Sequence, residues 1–112
     1  MKALRSEVDQ LHAQLCKGLA STNRILILYA LADQALNVSD LAETLEMSQP
    51  TVSRHLKVLR DSRIVHDERQ GQSVVYSLAD RRVIEALDLL RQVLADSLRE
   101  QSVLADSADR DL

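Results

Sequence analysis

Apolar residues recur at intervals of three or four at the start of the chain, at Leu4, Val8, Leu11, Leu15 and Leu19. That spacing lines one face of a helix, and Gly18 falls near its end. Ser21 or Thr22 can cap a second helix, NRILILYALAD, whose Ile25, Leu26, Leu28, Tyr29 and Leu31 are apolar almost all round. A helix without a polar face belongs at the centre of a fold. Asn37 can cap a third, short helix, with Asp40 three positions on as a capping-box-like partner and Leu41 and Leu45 facing inward. After a break at Glu46-Met47, Ser48 can cap a fourth helix that runs to about Ser62, with Val52, Leu56 and Leu59 as its buried stripe. Pro50, the only proline, lies two residues past that cap. An amide in the first turn has no helical acceptor, so the proline ring marks a helix start there and does not break one.

The period then changes. Ile64-Val65 and Ser73 to Leu78 are β-branched and alternating, with Gln70-Gly71 as a turn signal between them. They predict a two-stranded hairpin with a charged tip, too small to stand without the helices. Asp80 can cap a last helix, RRVIEALDLLRQVLADSLRE, where Val83, Leu87, Leu90, Leu94 and Leu98 form one stripe that Ile84, Leu89 and Val93 widen. A terminal helix with that much apolar surface requires a partner. From about Ser102 the chain reads as an acidic, frayed tail. The expected organisation is therefore one domain over residues 1–101 and a tail over 102–112.

Composition sharpens this picture. A chain of 112 residues with only two tyrosines as aromatics, Tyr29 and Tyr76, must build its core from Leu, Ile, Val and Ala. With two glycines in all, that mix favours helices over a sandwich or barrel. The single cysteine, Cys16, allows no internal disulfide and suits a reducing compartment. No apolar run approaches the roughly 18–20 residues of a membrane span, and MKALRSEVDQ has no signal-peptide core. The expectation is a soluble, cytoplasmic protein.

Charge changes the picture more. The formal net charge is -3, yet residues 50–75 carry five Lys/Arg against three Asp/Glu, whereas residues 1–49 carry four against six and residues 76–112 five against eight. A basic middle lies between acidic ends, and local charge decides which face attracts phosphate. Two short helices joined by a tight turn, the second with a polar basic face, make a helix-turn-helix. Gln49, Thr51, Ser53 and Arg54 stand at the N-terminal end of the second helix, where side chains reach base edges in the major groove. Arginine reads guanine and glutamine reads adenine, each with two hydrogen bonds. Lys57 and Arg60, with Arg69 on the hairpin tip, suit phosphates. His55 suits packing or a phosphate contact, and His66 a surface strand position. A polar helix face alone is ordinarily just a solvated face. The combination of turn, cap, basic helix and basic hairpin points to double-stranded DNA.

The segments LCKGLASTNRILILYAL, LAETLEMSQPTVSRHLKVLRDSRIV and ERQGQSVVYSL resemble the ArsR/SmtB family of bacterial winged-helix repressors, over about residues 11–95. The resemblance implies a winged helix-turn-helix with four helices, a hairpin and a final helix. It implies a recognition helix at about Ser48–Arg60 and a wing at about Ile64–Leu78. It also implies a homodimer joined by the first and last helices, which fits the stripes at Leu4, Val8, Leu11 and Leu15 and at Leu87, Leu90, Leu94 and Leu98. Such a dimer binds a two-fold operator and releases it on a signal. Many relatives carry glycine where this chain has Glu46 and Arg63. Glycine takes a left-handed conformation cheaply, and a substitute that keeps the geometry costs on the order of 1 kcal/mol.

The family's usual sensor chemistries are absent. A third-helix thiolate pair is replaced by Asn37 and Ser39, poor ligands for soft metals. A last-helix site needs histidine, and none follows His66. A redox pair needs a cysteine near Tyr29 and another in the last helix, and neither is present. His12 and Cys16, four residues apart on the first helix, are the remaining metal candidates. The competing expectation is that Cys16 is a small core residue among leucines. No cofactor is implied. An enzyme is not expected, because no phosphate loop, HExxH motif or clustered acid–base set occurs. The leading reading is a DNA-binding repressor without those metal sites. The others are a sensor that uses His12 and Cys16, and a protein-interaction module that docks a partner on the last helix.

Overall fold

Three side-chain caps begin helices where the sequence marks them. The Ser21 side chain accepts from the Arg24 amide at 3.3 Å, Asn37 Oδ1 from the Asp40 amide at 2.8 Å, and Ser48 Oγ from the Thr51 amide at 3.3 Å. Each satisfies an amide that has no acceptor within its own helix. The computed structural model describes residues 1–110, with side chains described as far as residue 106. The chain divides into two units, residues 1–81 and a last helix that begins at Arg82.

In the first unit, α1 (Lys2–Gln10) passes into a π-helical stretch (Leu11–Cys16) and a closing α turn, α2 (Lys17–Leu19). Then come α3 (Thr22–Ala30), β1 (Leu36–Asn37), α4 (Val38–Leu45), α5 (Gln49–Asp61), β2 (Val65–Gln70) and β3 (Ser73–Leu78). Pro50 sits in the first turn of α5, as its place after Ser48 requires. The π stretch was not visible as periodicity. Its wider turn shifts the apolar register between Val8 and Leu15.

The hairpin is one strand short of the sheet. β1 pairs with β3 through Leu36–Tyr76 and Asn37–Val75, which makes an antiparallel sheet of order β1-β3-β2. The first hairpin strand also runs on through the charged residues His66–Gln70, paired from Val65–Leu78 to Gln70–Ser73. Backbone pairing with β3 holds those side chains in a strand despite their poor apolar alternation. Gly71 supplies the left-handed turn residue, with φ 64°.

The core of this unit is aliphatic. Ile27, Leu28 and Leu31 from α3 and its C-cap, Leu41 and Ala42 from α4, Val52, Leu56 and Leu59 from α5, and Ile64 and Val65 are all buried. Leu26, expected in the centre, is exposed, because α3 does present one face to solvent. Gly18 is buried where α2 meets the chain after α5. A Cβ there would lie 2.7 Å from Ile64 Cδ1 and 3.0 Å from Ser62 Oγ, so any side chain at this position would have to displace those two.

Glu46 and Arg63 do adopt left-handed backbone, with φ 55° and 61°. Glu46 terminates α4 with its amide on the Ala42 and Glu43 carbonyls, the geometry of a left-handed helix cap. Glu46→Gly and Arg63→Gly are therefore each expected to raise stability by about 0.5–1 kcal/mol, the strain of a side chain in this region less the entropy that glycine loses on folding. Urea midpoints compared at one protein concentration check this, and an unchanged or lower midpoint refutes it.

The second unit is a single helix, α6 (Arg82–Arg110). It runs past Ser102, where the sequence suggested a frayed tail, and residues 111–112 lie outside the described residues. Val103 and Leu104 carry apolar positions beyond Leu98, and no glycine or proline interrupts the run. Ile84 and Leu87 are buried, whereas Leu90, Leu94 and Leu98 are exposed. No described helix is long and apolar enough to cross a membrane.

Candidate nucleic-acid interface

α5 turns Val52, Leu56 and Leu59 into the core. Since successive residues rotate by about 100° around a helix, Arg54 and Lys57 occupy its outward centre. Arg60 and Ser53 fall on one flank, His55 on the other. Arg54 and Lys57 are exposed, as are Ser53 and Arg60, and His55 is half-buried. Arg69 is exposed on β2, two residues before the Gly71–Gln72 turn. The residues read from the sequence therefore gather around α5 and its neighbouring wing, with particular engagements that the sequence did not show.

Gln49 does not point freely outward. Its Nε2 donates to Ser39 Oγ at 3.2 Å, so it braces α5 against α4. Thr51 Oγ1 accepts from Ser48 Oγ at 2.8 Å and from Arg54 Nη2 at 3.3 Å, which steadies the arginine and leaves most of its donors open. Lys57 Nζ lies 2.9 Å from Asp61 Oδ2, and Arg60 Nη1 lies 3.2 Å from Asp67 Oδ2 on β2. Two of the three cations expected to hold phosphate, Lys57 and Arg60, thus already hold a carboxylate. Exposed pairs of this kind are worth about 0–1 kcal/mol, so a phosphate can displace the acid at little cost.

One contributor was missed. Arg24, on α3, places Nε 2.7 Å from the Gly18 carbonyl, Nη2 3.2 Å from the Lys17 carbonyl and Nη1 3.3 Å from His55 Nδ1. The signal available was one arginine inside the apolar run NRILILYAL. The pKa of His55 is lowered from its usual value, first by burial, then by the Arg24 and Arg54 charges.

Asn37 and Ser39 are both engaged. Asn37 caps α4, and the Ser39 hydroxyl accepts from Gln49. Cys16 is exposed, contrary to the expectation of a core residue, because the π stretch that contains it has no buried residue. His12, four residues earlier in the same stretch, is exposed as well. Among the described residues no group of three His, Cys, Asp or Glu side chains could hold a metal.

Two helices joined by a tight turn, the second with an open basic face beside a three-stranded wing, define a winged helix-turn-helix protein, a class that acts on DNA. Residues 21–67 match the model of the arsR family of bacterial regulatory proteins. The chain is similar to a transcriptional repressor SmtB homolog of Synechocystis, 42% identical over 79% of this chain and 64% of that one. It is also similar to the transcriptional activator HlyU of Vibrio cholerae, 35% identical over 70% and 73% of the two chains. The chain thus spans less than two thirds of the Synechocystis relative's length. Among solved structures, the homodimeric winged helix-turn-helix DNA-binding domain of a Mycobacterium bovis protein superposes with a TM-score of 0.75 at 27% identity, over 89% of this chain and 92% of that one. Reduced HlyU from Vibrio cholerae gives 0.72 at 30%, over 83% and 97%. The chain belongs to the arsR family of bacterial regulatory proteins. These relatives are named as transcription regulators, not as enzymes.

Proposed function

We propose that this protein is a sequence-specific transcriptional repressor that binds a two-fold operator as a homodimer in the cytoplasm, without the metal sites its family is known for. The observation that carries the reading is the face of α5. It concentrates Arg54, Lys57 and Arg60 beside the Arg69-bearing wing, in a chain whose formal net charge is -3. Exposed apolar side chains at Leu4, Val8 and Leu11 and at Leu90, Leu94 and Leu98 favour self-association. The homodimeric Mycobacterium bovis neighbour supports the same assembly. A two-fold dimer presents two recognition helices to half-sites about one helical turn apart. The commitment of Asn37 and Ser39 to a cap and a brace favours a regulator without a third-helix metal site.

The test is binding of the purified dimer to its own promoter and to random duplex at low salt. Preference for the promoter, with repression of a promoter-driven reporter, is the expected result. Equal affinity for both duplexes overturns it. The exposure of both Cys16 and His12 on one helical stretch favours a second reading, a metal- or redox-responsive regulator. Operator affinity that is identical in Cys16→Ala and wild type, with metals and with oxidants, would exclude that second reading.

A further inference from the structure

We infer that Arg24 is a positioning residue for DNA recognition: it holds the His55 ring with its proton on Nε2, the atom that donates to a phosphate oxygen of the duplex. The inference rests on α5 being the recognition helix. A guanidinium has donors and no acceptor. Its Nη1 stands 3.3 Å from His55 Nδ1, so Nδ1 accepts, and the ring is neutral with its proton on Nε2. The other two contacts fix the guanidinium itself, because Nε and Nη2 donate to the Gly18 and Lys17 carbonyls at the end of α2. Positive charge is favoured at such a helix end. Three donors on three acceptors from two elements leave the plane of the guanidinium little freedom. The ring is thereby oriented from outside its own helix.

His55 Nε2 has no hydrogen-bond partner among the described residues. No buried side-chain nitrogen or oxygen among them lacks a partner. Nε2 therefore reaches solvent. Its place on α5 decides what it meets there. A helix about 10–12 Å across fills a major groove about 12 Å wide, so its outward centre meets bases and its flanks meet the two phosphate backbones. Arg60 lies on the flank toward the wing, held by Asp67, and His55 lies on the opposite flank, held by Arg24. The two sides of the groove thus receive one donor each. The charged groups that face the ring are Arg24 from α3 and Arg54 from α5 itself, and both oppose a second proton on it.

The test uses the full chain and three variants, Arg24→Gln, His55→Ala and the double change. Nitrogen NMR of the wild-type ring is expected to show Nε2 protonated and Nδ1 bare. In Arg24→Gln the two tautomers should mix, and His55 should titrate closer to its ordinary value. Each single variant is expected to bind the operator about tenfold more weakly, the scale of one hydrogen bond to a charged group. The double variant should lose no more than either single one, because the two residues act through one contact. Wild-type protein with Nδ1 protonated overturns the inference, even if Arg24→Gln fails to fold. So do losses that multiply in the double variant while each protein keeps its fold. Failure of the underlying reading looks different: wild type itself would then show no preference for the operator.

Discussion

Leu56→Ala is expected to lower the free energy of unfolding by about 2–5 kcal/mol, the range for truncating a buried leucine. Leu56 is fully buried, on the face of α5 that carries Val52 and Leu59, also fully buried. Both α3 and α4 pack on α5. The cavity should persist. The neighbours are short aliphatic side chains, both tyrosines are only half-buried, and no phenylalanine or tryptophan exists to swing into the space. Stabilities of single domains run to about 5–15 kcal/mol, so the loss is a large share of the total. Urea unfolding at a fixed protein concentration measures it, because a dimer's stability depends on concentration. A loss below about 1 kcal/mol would mean that α5 is not anchored through this face.

Arg54→Ala is expected to weaken operator binding by about 1–3 kcal/mol, roughly 5–150-fold, and to relax discrimination at one base pair. Arg54 stands on the outward centre of α5, with only Nη2 engaged, on Thr51 Oγ1. The free edge of its guanidinium keeps the paired donors that suit guanine. Stability should change by no more than about 0.5 kcal/mol, as for other exposed positions. Competition against operators with single base substitutions separates this from a phosphate contact. Loss of base reading flattens the profile at one position. Loss of a phosphate contact weakens every duplex alike and reduces the salt dependence. A uniform loss would move Arg54 from the reading set to the phosphate set.

Much of the fold could be read from the chain because its signals are local. A serine followed by a proline two residues later, then Val52, Leu56 and Leu59 at helical spacing, requires nothing distant to start α5 and choose its buried face. The same holds for the cap at Asn37 and the turn at Gly71. Glu46 and Arg63 could be marked as left-handed positions only through the resemblance to relatives that place glycine there. The backbone keeps that geometry with a side chain in place.

The features that escaped depend on contacts between distant segments. β1 is two residues long and exists because β3, some forty residues later, offers its edge. A pair that short has no period to detect. The exposure of Leu26 beside the buried Ile27 and Leu28 cannot be read from hydropathy, since all three lie in one apolar run and differ only in what the fold sets beside them. Lys57 and Arg60 read as free cations in the sequence, and tertiary structure supplies one of the carboxylates that hold them, from β2. Caps, periodicity and local charge thus determined by themselves that this chain makes a helix-turn-helix whose second helix has a basic outward face, because those signals act within a few residues. Which donors remain open on that helix was decided only when folding brought Arg24 to His55, Ser39 to Gln49 and Asp67 to Arg60, because a hydrogen bond needs its partner within about 3 Å and nothing in the spacing of one segment encodes the position of another.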